Sequence, residues 1–367
     1  NFAFSGSEFE RRTKIENSFG LMSAHISTLA NQVMYECIKR YLASQHIVLV
    51  TIWCGILANI VNVFCLWLFL HHLQWSFIGA PIAGSISNWV MLLSILVISK
   101  WKDYFHLTWP GLSWKMFTDL WQILQIALPG TAMLCAEWWA FEILTLLSGI
   151  LSTTDLAACT ITVNVAYVTY MFPLSVAIAA STRISNNLGA GKPDIAKVVG
   201  RFCIFCGVLF SLFDGAIVSL LRHQIAGIFT SDEAVESIAS SLLLILALFQ
   251  IFDFTAGVAG GVIRGIGVQK YGALINFIGY YLVGTPLGLL FAFPFGLDLG
   301  SPGLFWGITV SLFLQVCGYG FLLVRVDWDH YSMIARTRGI SSSKAAADEP
   351  ILLNHPLISP DDEILVK

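Results

Sequence analysis

The chain has 367 residues, 56% of them hydrophobic and 12% charged, with a mean hydropathy of +0.75 and a net charge of −3. Soluble domains carry about 25% charged residues. Half that share, spread between long apolar runs, excludes an ordinary soluble domain and points to a multi-span membrane protein. The small net charge also argues against a nucleic-acid binder.

Residues 1–18 read as a polar N-terminal segment, with no charged-then-apolar leader and small-residue cleavage site. Residues 19–42 follow as a weak span. They carry His25, Asn31, Gln32 and Glu36, which suits a poor span or an interfacial helix. Eight strong apolar segments then run roughly over 47–70, 77–99, 122–149, 155–182, 198–221, 236–263, 271–296 and 302–325. Each exceeds the roughly 20 residues that a helix needs to cross the hydrocarbon core. Each should be a helix, because a segment in lipid must satisfy its own backbone polar groups. From about residue 328 the chain turns polar, with "SSSKAAADEP", and is expected to be disordered.

Cations sort these spans. Lys39 and Arg40 precede the first strong span, and Lys100, Lys102 and Lys115 follow the second. Arg183, Lys192, Lys197 and Arg201 follow the fourth, Arg264 and Lys270 the sixth, and Arg325, Arg336, Arg338 and Lys344 the eighth. The alternate connections hold only Arg222. The positive-inside rule therefore predicts that the basic connections and the C-terminus are cytoplasmic. In the tail, "DEPILL" sets Asp348 four residues before the pair Leu352 and Leu353, the pattern of a dileucine signal read by a sorting adaptor. Chance matches to that pattern are common in tails.

The chemistry lies in acids placed within apolar runs. "AMLCAEWWAFEILTLLSG" holds Glu137 and Glu142, and "LFQIFDFTAGVAGG" holds Asp253. An ionisable group near the bilayer centre costs several kcal/mol, so it faces a cavity or a partner and marks a pathway. Glu137 lies roughly 20 Å along its helix, near mid-membrane. Glu142, five residues on, is turned about 140° away and about 7.5 Å further along. The two acids therefore cannot share one face. The competing reading for each acid is a satisfied hydrogen bond in helix packing. Trp138, Phe141 and Tyr170 offer aromatic faces, which attract bulky cations by about 0.5–2 kcal/mol each. Trp138 and its neighbour Trp139 would equally serve to pack or to face lipid.

Pro129 and Pro173 lie inside spans, where each removes a backbone hydrogen bond. Gly257 and Gly261 stand at the spacing that permits close helix packing. "GAGK" is not a phosphate loop, because the upstream Gly is missing and Lys192 precedes Pro193. Cys203 and Cys206 form a Cys-x-x-Cys inside an apolar run with no second pair or His nearby, so they read as small buried residues rather than metal ligands. His71 and His72 fall in an outer connection, and no nucleophile or metal set lies at membrane depth. The chain therefore does not read as an enzyme.

Three ordered stretches carry a family resemblance: "CAEWWAFEILTLLSGIL", "ASTRISNNLGAGKPDIAK" and "GGVIRGIGVQKYGALINFIGYYLVGTPLG". With "KRYLASQHIVL" they make the chain, from about Gln32 to Trp328, resemble the multidrug and toxin extrusion (MATE) family. Within that family the chain resembles the animal proton-coupled organic-cation exporters. The second stretch is similar to the family's cytoplasmic motif through Arg183, Asn186, Gly189 and Gly191.

The resemblance implies an all-α integral membrane fold with two lobes of six helices. Residues 121–327 would form the complete C-terminal lobe and 19–120 a partial N-terminal lobe, with its first three helices without counterpart; 328–367 would be a cytoplasmic tail. It implies export of organic cations in exchange for protons by alternating access, from the plasma membrane or an intracellular vesicle membrane. It places Glu137, Glu142 and Asp253 on acidic positions for proton coupling and cation recognition, with Trp138, Phe141, Asn164 and Tyr170 in the substrate cavity. Asp253 stands where the animal branch usually has Glu, and Asn164 where it often has another Glu. No cofactor is implied. The coupling ion would be the proton, with sodium as the alternative within the wider family. The other reading is a non-transporting form that acts as an assembly partner or regulator.

Overall fold

The computed structural model describes residues 28–45, 47–104 and 120–347. The described residues are almost wholly helical, and eight of the helices are long and apolar enough to cross a membrane. The chain divides into two compact units, Asn1–Trp114 and Lys115–Lys367.

In the first unit, α1 covers 28–44. It is the described part of the weak span; its expected start, with His25, lies outside the described residues. Helix α2 covers Leu49–Trp67 and runs on through a π-helical turn at Leu68–His72, and α3 covers Ser76–Trp101. Polar side chains tie these helices where apolar contact alone would leave their rotation free. Asn62 Nδ2 donates to Ser87 Oγ at 2.9 Å between α2 and α3, and Thr28 and Ser85 share a 2.9 Å bond between α1 and α3. Tyr35, Leu42, Cys54, Leu92 and Ile95 form a small core.

The second unit holds α4 (Leu120–Leu151), α5 (Thr153–Gly189), α6 (Pro193–Phe229), α7 (Glu233–Ile266), α8 (Gln269–Ala292), α9 (Ser301–Arg325) and α10 (Trp328–Ala347). Helices α5 and α7 start on side-chain caps. Ser152 Oγ accepts from the Asp155 backbone N–H at 2.9 Å and donates to Asp155 Oδ2 at 2.6 Å, while Asp232 Oδ1 accepts from Ala234 N at 2.9 Å.

Helix α7 is the hub. Two-thirds of its most apolar stretch is buried (67%), against 39% or less in every other span. It packs on α5, α6 and α9. Its small residues allow this, as their spacing in sequence suggests. A Cβ added at Gly261 would lie 2.6 Å from Ala177 Cα on α5, so the two backbones meet there. Helix α8 changes pitch through a π-helical stretch at Ile278–Gly284, where Thr285 Oγ1 donates to Tyr280 O at 2.9 Å.

The polar segment after residue 327 corrects one expectation. Trp328–Ala347 form a helix rather than a disordered tail. Asp327 Oδ1 accepts from His330 N at 3.1 Å as its cap, and buried Ser332 donates to Leu188 O at 3.0 Å. Trp328 packs over Gly200. These contacts supply what a segment of low hydrophobicity lacks by itself. The dileucine-like residues Asp348, Leu352 and Leu353 lie outside the described residues.

Candidate functional site

Three helices of the second unit converge on Glu137. It projects from α4, and Tyr170 of α5 donates its hydroxyl to Glu137 Oε1 at 2.6 Å. Asp253 approaches from α7 and is 5% exposed. Glu137 and Asp253 line two small cavities in common.

The first cavity, about 10 Å³, is completed by Arg264, Asn276, Tyr280, Gln315 and Tyr319. The second, about 20 Å³, is completed by Trp138, Phe141, Tyr167 and Tyr170. Each has room for about one water. A proton or a water fits there, and an organic cation does not. Among the described residues no ion pair joins Arg264 to either acid. Glu137 is therefore held by the Tyr170 hydroxyl and longer-range attraction to Arg264 rather than by a closed salt bridge.

The surrounding frame is polar and rigid. Asn276 accepts from the Tyr319 hydroxyl and donates to Met133 O at 2.9 Å, one turn before Glu137. Tyr281 donates to Ala136 O at 3.2 Å, and Gln269 Nε2 to Ile126 O at 3.0 Å. Helix α8 is thus fastened to α4 at three carbonyls near Pro129 and Glu137. On the far side, Gln250 Nε2 donates to Thr169 Oγ1 at 2.7 Å, fixing α7 against α5 beside Tyr170. Gly257 allows Tyr170 in, since a Cβ there would lie 2.7 Å from the Tyr170 hydroxyl oxygen.

The aromatic expectations divide. Trp138 stacks on Tyr167 at 5.4 Å between centroids, and Phe141 meets Phe249 edge-on at 5.8 Å. Both line the second cavity, whereas Trp139 is 63% exposed and points away. Glu142 and Asn164 are exposed and line neither cavity. For Glu142 this follows from its 140° rotation relative to Glu137. Asn164 bonds its own helix, donating to Thr160 O at 2.9 Å.

Sequence reading missed the polar half of the first cavity. Arg264 counted only as a basic residue at a helix end. Helical side chains point back toward the N-terminus, which brings Arg264 along the wall to the acids. Asn276 and Gln315, each alone in an apolar run, carried the same signal as Asp253. So did Asp214 of α6, which is buried with Oδ2 unpartnered.

The motif residues sit where α5 ends. Asn187 Nδ2 donates to Arg183 O at 2.7 Å, and Ala190 N to Asn186 O at 2.9 Å. Gly191 has φ +71°, a conformation that favours glycine. Gly189 is helical with open space around its Cα, so the turn itself requires only the second of these two glycines.

The MatE family model matches residues 129–290, which contain both cavity acids. Multidrug and toxin extrusion protein 1 of Danio rerio is 37% identical over 295 residues, covering 80% of this chain and 50% of that protein. Protein DETOXIFICATION 16 of Arabidopsis thaliana is 37% identical over 320 residues, covering 86% and 65%. The crystal structure of the eukaryotic MATE transporter AtDTX14 superposes with a TM-score of 0.83 at 28% identity, covering 87% of this chain and 71% of that one. The chain belongs to the MATE family. It is an integral, multi-pass membrane protein with the all-α MATE fold. It spans about half the length of the animal MATE relatives it matches. Those relatives are named as extrusion proteins rather than enzymes.

Proposed function

We propose that this chain works as a secondary transporter that exports organic cations in exchange for protons by alternating access, with Glu137 and Asp253 as the exchange site. The observation that carries this reading is the shared cavity of the two acids with Arg264. Two carboxylates against one guanidinium leave a single negative charge. One proton, or one monovalent organic cation acting on the same charge, neutralises it.

A buried charge without a closed ion pair costs several kcal/mol. Occupancy of this site therefore biases which conformation the protein adopts. Exchange follows when proton and cation each favour a different conformation. The cavity admits a proton but no organic cation. The cation then binds beyond it, with Trp138, Phe141, Glu142 and Asn164 as candidate contacts, and displaces the proton through the shared field. The relatives' names as multidrug and toxin extrusion proteins support the substrate class. The distribution of Lys and Arg supports a cytoplasmic C-terminus, and the plasma membrane is the proposed location.

The test is uptake of a labelled quaternary ammonium into vesicles containing the purified chain. An acid interior should drive accumulation, and collapse of the gradient with an ionophore should abolish it. Uptake that ignores the proton gradient but follows a sodium gradient would replace the proton with sodium. No uptake under either gradient would favour a non-transporting partner.

A further inference from the structure

A groove of about 300 Å³ lies outside the acid cavities, where the start of α6 meets the ends of α7 and α9. Lys197 and Arg201 form one edge, Val262, Leu323 and Val324 the apolar wall, and Trp328 the end. Gly200 makes its floor, since an added Cβ would lie 3.3 Å from Val262 Cγ1 and 3.5 Å from the Trp328 ring.

Two features ask for a ligand. Lys197 and Arg201 are one turn apart on the same face of α6, an arrangement of like charges that costs a few tenths of a kcal/mol. Among the described residues neither forms an ion pair with a carboxylate. Val262 at the bottom of the wall is buried, but its outer part is open: Val324 is 85% exposed, and Phe202 and Phe321 just outside the groove are each 64% exposed. Cations edge an apolar channel, so charge and hydrophobicity demand different parts of one amphipathic molecule.

The depth agrees. Helix α6 has 37 residues, about 55 Å at 1.5 Å per residue, against a hydrocarbon core of about 30 Å. Its first turns, with Lys197 and Arg201, therefore sit at headgroup level. Arg325 in the last turn of α9 marks the same level.

We propose that this groove binds an anionic phospholipid, with the phosphate between Lys197 and Arg201 and an acyl chain along Ile204, Leu323 and Val324. The lipid ties the start of α6 to the end of α9 at the seat of α10. Binding here is independent of the transport reading, because the groove shares no residue with the acid cavities.

Native mass spectrometry of the purified chain with equal amounts of phosphatidylserine and phosphatidylcholine tests it. Phosphatidylserine should be retained preferentially. Raising salt from about 50 to about 500 mM should reduce that preference. Lys197→Gln with Arg201→Gln should lower phosphatidylserine retention about 30-fold, the loss expected for two interfacial cations. Val324→Trp, which obstructs the acyl channel and keeps both cations, should lower it as well. Equal retention of the two lipids by the parent chain, or a preference that ignores salt, would overturn the proposal. So would displacement of phosphatidylserine by inorganic phosphate at comparable concentration, which would mark a site for free anions.

Discussion

The Tyr170 hydroxyl donates to Glu137 Oε1 at 2.6 Å, linking α5 to α4 at the wall shared with Asp253. The bond holds the carboxylate at the cavity wall. A hydrogen bond to a charged group contributes about 1.5–3 kcal/mol.

Tyr170→Phe removes that donor and preserves the ring that packs near Phe254. Proton-driven cation uptake should fall about tenfold or more, in line with the loss of a charged hydrogen bond. Glu137→Gln should abolish gradient dependence outright. Initial uptake rates in vesicles at a fixed pH gradient measure both.

Asp253→Asn leaves Glu137 and Arg264 with no net charge between them. Proton coupling should then be lost, with cation exchange slow and insensitive to the gradient. Glu142→Gln should behave differently. Glu142 is exposed and lines neither cavity, so its loss should raise the KM for the cation and leave gradient dependence in place. Parental coupling in Asp253→Asn would remove that residue from the site.

Gly261→Ala places a methyl group against the Ala177 backbone. Overpacking of this kind costs about 1–3 kcal/mol. The melting temperature of the detergent-solubilised protein should fall. Gly189→Ala, at a position open on all sides, should leave it unchanged or slightly raised, because alanine loses less backbone freedom on folding.

Helix α10 depends on a few contacts. Asp327→Ala removes its cap, at a cost of about 1 kcal/mol. Ser332→Ala removes the bond to Leu188 O. Amide exchange over Trp328–Ala347 should quicken in both variants, with little change in α7.

The eight spans and the acids embedded in them were legible in the sequence because both are local properties. Hydrophobic length decides whether a segment crosses lipid, and a lone acid in an apolar run is conspicuous wherever it packs. The 140° separation of Glu137 and Glu142 was also available, since helical geometry relates residues on one helix. What the sequence alone could not determine is how each helix is turned toward its neighbours. That rotation follows from long-range contacts such as Gly261 against Ala177 and Asn276 on Met133 O. Tertiary packing alone decided that Glu137 and Asp253 share a cavity while Glu142 and Asn164 stand outside it. It also decided that Arg264 reaches back to the acids from a helix end. The polar segment after residue 327 is helical for a similar reason. Its own composition carries too little apolar surface to fold, and the end of α5 provides the missing partners through Leu188 and Gly191.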